Sequence, residues 1–75
     1  MTNQLTVNYF LSRLQERISR YDAKLILESA MVVSGVKAQG EEFANEDAKN
    51  LCLELIRKGG PAFQVGSSIY RQIPQ

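Results

Sequence analysis

The chain has 75 residues, of which 44% are hydrophobic and 23% charged, with a net charge of +1; this is the composition of one small globular domain, not of a disordered segment. It contains no histidine and a single cysteine. That excludes an intramolecular disulfide, a metal site built on Cys and His, and the Ser–His and Cys–His nucleophile pairs.

A domain this short buries only roughly 60–65% of its unfolded surface. With no disulfide and no good metal-ligand set to add stability, self-association is the expected supplement. The first twelve residues carry no charged side chain and lack the basic region and cleavage site of a secretory signal. The longest strongly apolar stretch, residues 30–36, is far short of the roughly 20 residues of a membrane helix. With a free cysteine, these features lead to the expectation of a soluble, cytoplasmic protein.

The expected fold class is all-α. Val7, Leu11, Leu14, Ile18, Tyr21 and Leu25 recur at intervals of four and three, the period of a helical seam. Thr2 or Thr6 supplies an N-cap oxygen. The unbroken seam favours one long helix over about residues 6–34. A break near 19–22 is the alternative, because Ser19 and Asp22 have capping-box spacing with Asp in place of Glu. Residues 23–36 are apolar almost all round, with Leu25, Ile26, Leu27, Ala30, Met31, Val32 and Val33 among them. Such a helix is buried on more than one side, and so short a chain has too little material to cover both. The expected cover is a second copy of the chain, with Leu25, Met31 and Val32 in the shared core.

Gly35 is placed to end this helix in the left-handed conformation, with Val36 as its apolar follower. Residues 35–44 are read as a loop. The next helix is expected over residues 46–58. Asn45 is its N-cap, Glu46 and Asp47 complement the dipole at its start, and Arg57 and Lys58 do so at its end. Gly59 and Pro61 stop it. Ala48, Leu51, Cys52, Leu55 and Ile56 form its inner face. This helix is expected to pack antiparallel against the long one. Residues 61–71 are either a short helix with Ala62, Val65, Ile69 and Tyr70 inward, or a hairpin turning at Gly66-Ser67. Pro74 and Gln75 are expected to fray.

Few residues suggest chemistry. Cys52 lies mid-helix on an apolar face, which disfavours the reactive thiolate. Glu41, Glu42, Glu46 and Asp47 lack the spacing of a calcium loop. Gly59-Gly60-Pro61 lacks the Lys and Ser/Thr of a phosphate loop. No enzyme, metal or cofactor is therefore expected. The aromatic residues Phe10, Phe43 and Phe63 are read as core anchors and Tyr21 as part of the seam.

Arg13, Arg17, Arg20 and Lys24 line one stripe beside that seam. Residues 1–20 are net basic and residues 41–58 net acidic, so the stripe can stay solvated or face Glu46, Asp47 and Glu54, contact another protein, or bind nucleic-acid phosphates. The leading expectation is a small non-enzymatic protein-interaction module (an adaptor, regulator or accessory subunit) acting as a homodimer. A nucleic-acid-binding regulator using the basic stripe is the alternative.

Overall fold

The computed structural model describes residues 5–36 and 42–73. Thr2, Glu41, Pro74, Gln75 and residues 37–40 of the expected loop lie outside them. The described residues form four helices: α1 (Val7–Gln15), α2 (Arg20–Ser34), α3 (Asn45–Lys58) and α4 (Gly60–Gln72). The all-α class holds, but the long first helix does not.

The Thr6 side chain accepts a hydrogen bond from the Tyr9 N–H and opens α1. The helix then lasts nine residues. Its last turn tightens as the Arg17 and Ile18 N–H groups both donate to the Leu14 carbonyl. Ser19 is extended, and its hydroxyl accepts from the Asp22 N–H at 3.1 Å to start α2. The break lets two different faces reach one core. α1 buries Phe10 and Leu14, whereas α2 buries Ala23, Leu27 and Ala30. A single straight rod could not bring both sets onto the same partners. The seam slips phase at the break, and Tyr21 and Leu25 are on the outside of α2.

α2 ends as its sequence requires. Gly35 has φ +75°, the Val36 N–H donates to the Met31 carbonyl and the Gly35 N–H to the Val32 carbonyl. These are the two bonds of the Schellman motif, and buried Val36 supplies its apolar contact.

α3 begins one residue earlier than expected. Asn45 is its first helical residue, and Ala44 is the cap with no side-chain bond. The reason is tertiary: the extended segment before α3 pairs with the one before α1. Thr6 bridges Glu42, and the Phe43 N–H donates to the Leu5 carbonyl at 2.8 Å. Leu5 and Phe43 are thereby buried, and the chain leaves the extended conformation after Ala44. At the other end Gly59, with φ +79°, closes α3 and caps α4. Residues 60–72 are helical, so the hairpin alternative for the tail is not adopted.

α3 and α4 form the most extensive helix pair, α2 packs on α3, and α1 on α2 and α4. The inner faces of α3 (Ala48, Leu51, Cys52, Leu55) and α4 (Ala62, Val65, Ile69) supply the middle of the core. Gly66 sits at their closest approach: a Cβ there would lie 2.8 Å from the Cys52 carbonyl oxygen and 2.9 Å from the Leu55 Cβ. Phe10 meets Phe43 edge to face at 5.5 Å and closes the core below α1. Among the described residues, those buried are all apolar apart from glycine. The radius of gyration, 10.9 Å, matches the ~11 Å expected of a folded chain this long. Phe63, expected inside, is on the exposed side of α4.

Candidate functional site

Among the described residues, one side of α2 is covered and the other is bare. Ala23, Leu27 and Ala30 face the core, with Ile26 and Met31 leaning on it. Opposite them, Tyr21, Leu25 and Val32 are 72%, 48% and 79% exposed, and Val33 is 64% exposed. Tyr21, Leu25, Glu28 and Val32 follow one another at four, three and four residues. That is the spacing of a coiled-coil seam, here turned to solvent with one acidic interruption. Lys24 flanks the seam on one side, and Asp22 and Ser29 on the other. Ser29 accepts a hydrogen bond from the Lys58 ammonium of α3 at 3.1 Å.

Of the three residues expected in a shared core, Leu25 and Val32 are on this outer face. Met31 is half-buried against the chain's own core. The inward side carries two small residues, Ala23 and Ala30, both fully buried, and the outward side the larger Leu25 and Val32.

The basic stripe is divided. Arg13 is part of an internal strut. Its guanidinium donates to the Tyr9 hydroxyl and to the Ser68 hydroxyl, both at 3.0 Å, and lies 5.8 Å from the centre of the Tyr9 ring. Tyr9 in turn donates to the Gln72 side-chain carbonyl at 2.8 Å. The strut ties α1 to α4, and Glu16 sits 3.6 Å from the Arg13 Nε. The Tyr9–Arg13 spacing is legible in the sequence, but their meeting with Ser68 and Gln72 depends on how α4 packs. Arg17, in the α1–α2 corner, and Arg20 and Lys24, on α2, are exposed. Arg20 and Lys24 line an open groove of about 420 Å³ together with Asn8, Leu11, Ser12 and Gln15 of α1. The expected pairing of the stripe with α3 carboxylates is not found among the described residues. Glu54 pairs within its own helix, 3.8 Å from Arg57.

Cys52 is fully buried between α3 and α4. Desolvation penalises its thiolate and pushes the thiol from 9.0 up to about 12. A thiol reagent at neutral pH is expected to label Cys52 only through opening of the α3–α4 pair, at a rate that denaturant accelerates. Rapid stoichiometric labelling of the native protein would contradict this burial. The linkage has a definite sign: above pH ~9 the unfolded chain loses this proton and the folded chain keeps it, so stability falls from there towards pH ~12. Among the described residues, no group of three or more Cys, Asp or Glu side chains is placed to hold a metal. No helix there is long and apolar enough to cross a membrane.

Comparison of the chain with known protein families, curated proteins and solved structures finds no match.

Proposed function

We propose that the protein is a small non-enzymatic interaction module that acts as a homodimer through the outer face of α2. One observation carries this reading: the exposed apolar seam of Tyr21, Leu25 and Val32 lies directly opposite the face α2 turns to its own core. Covering a side chain of this kind contributes about 1–2 kcal/mol when half or more of it is withdrawn from water. Association costs roughly 4–15 kcal/mol. Tyr21, Leu25 and Val32 from each protomer together offset that cost without greatly exceeding it. The expected result is a weak dimer, populated at high concentration and lost on dilution.

Val32→Glu tests the surface itself. Val32 is 79% exposed, so a charge there leaves the isolated fold intact, whereas in a covered seam it is buried without a partner. Light scattering is expected to show a monomer at every concentration, with unchanged helicity by circular dichroism. A wild-type chain that is monomeric at its highest attainable concentration overturns the homodimer, and a Val32→Glu dimer overturns the choice of face.

The second reading, a nucleic-acid binder, draws on the exposed cations Arg17, Arg20 and Lys24 around the α1–α2 corner. It is the weaker reading, because Arg13 is committed to the strut with α4 and the net charge is only +1. It predicts binding to DNA or RNA that falls steeply with salt and is lost in the double variant Arg17→Glu, Arg20→Glu. Binding unaffected by that variant excludes the basic corner.

A further inference from the structure

We infer that the second copy lies antiparallel on α2, with Leu25 of each protomer packed against the partner's Glu28 at the centre of the interface. This rests on the homodimer reading and adds its orientation, which follows from where the charges stand on the exposed face. Of the four seam positions, Tyr21, Leu25 and Val32 are apolar in body and Glu28 alone is charged.

A parallel pairing sets each seam residue beside its own copy. Glu28 would then face the partner's Glu28 within the seam, a like-charge contact drawn out of water. An antiparallel pairing about a two-fold axis between residues 26 and 27 sets Tyr21 against the partner's Val32 and Leu25 against the partner's Glu28. Glu28 and Lys24 lie on the same flank of the helix, so each Glu28 also meets the partner's Lys24. Neither Glu28 nor Lys24 forms an ion pair with another described residue, and both are exposed, so both are free to pair across the axis. On the other flank, Asp22 comes to the partner's Ser29, where the partner's Lys58 ammonium already sits within the same protomer. Two-fold symmetry makes every one of these contacts twice. The acidic residue that interrupts the seam thus selects the direction of packing, as a polar seam residue does in coiled coils.

The test uses the whole 75-residue chain with single exposed cysteines; native Cys52 is buried and does not compete. Leu25→Cys and Glu28→Cys chains are mixed under mild oxidation. The expected product is the mixed disulfide that joins one variant to the other, in excess over either self-linked dimer. A self-linked Glu28→Cys dimer as the main product overturns the orientation and leaves the homodimer standing. A wild-type chain that is monomeric by light scattering overturns both.

Charge exchange supplies an independent reading. Lys24→Glu alone is expected to weaken the dimer about tenfold, since two pairs are lost at once. Adding Glu28→Lys is expected to restore it. Failure of the double variant to recover, in a sample whose helicity is intact, overturns the Lys24–Glu28 pairing.

Discussion

Phe10→Ala is expected to remove most of the stability of the fold. Phe10 has no exposed surface and packs edge to face on Phe43 at 5.5 Å and on Tyr9 at 6.5 Å. Truncating a buried phenylalanine costs about 3–5 kcal/mol, because the transferred area is lost and the cavity only partly collapses. A chain of this size has a total stability of roughly 4–11 kcal/mol. The variant is therefore expected to melt about 15–30 °C lower, or to be largely unfolded at room temperature. Phe63→Ala is the matched comparison: the same residue type on the exposed side of α4 is expected to cost less than about 1 kcal/mol. Thermal melts of the two variants by circular dichroism separate them. Equal losses would mean that α1 does not close the core.

Gly66→Ala carries the second large effect, and two terms oppose each other. Alanine in a helix interior is favoured over glycine by about 1 kcal/mol. Against this, the new methyl would stand 2.8 Å from the Cys52 carbonyl oxygen and 2.9 Å from the Leu55 Cβ. Neither atom is the end of a flexible side chain, so relief requires α3 and α4 to move apart along the most extensive contact in the fold. Overpacking of this kind costs about 1–3 kcal/mol even after adjustment. The net expectation is destabilisation in urea, with the midpoint falling and the slope unchanged. Gln64→Ala, two residues away on the exposed face of the same helix, is expected to be neutral. A stabilised Gly66→Ala would refute the close α3–α4 approach.

These two sites differ in how visible they are in the sequence. Residue type does not distinguish Phe10 from Phe63; only the helical stripe of Ala62, Val65 and Ile69, which passes Phe63 by, hints at its exposure. Gly66 is legible only as a possible turn residue, whereas its role is to let two helices touch. The candidate interaction face is partly visible. The excess of apolar residues over 23–36 points to a helix needing cover on two sides, and Leu25 and Val32 are on its bare side. Periodicity puts Tyr21 in the inner seam, whereas the structure sets it on the outside of α2; Met31, expected in a shared core, is half-buried against the chain's own core. Both faces of α2 are apolar, and periodicity cannot rank them.

By itself the sequence determined the features held by neighbours a few residues apart. Gly35 and Val36 end α2 through bonds to Met31 and Val32. Gly59 and Pro61 separate α3 from α4, and Glu46, Asp47, Arg57 and Lys58 complement the dipole of α3. The inner face of α3 follows from a single clear stripe, of which Ala48, Leu51, Cys52 and Leu55 are buried and Ile56 only partly so. Tertiary structure decided the rest: that the locally encoded Ser19–Asp22 cap prevails over the unbroken seam, the start of α3 beside Leu5, the withdrawal of Arg13 into a strut with Ser68, and which side of α2 meets the core. A cap or a stop is a hydrogen bond or a steric limit between residues close in the chain, so it can be read locally. The choice between two apolar faces depends on which of them fits the helices that pack against it, and those helices come from distant parts of the chain.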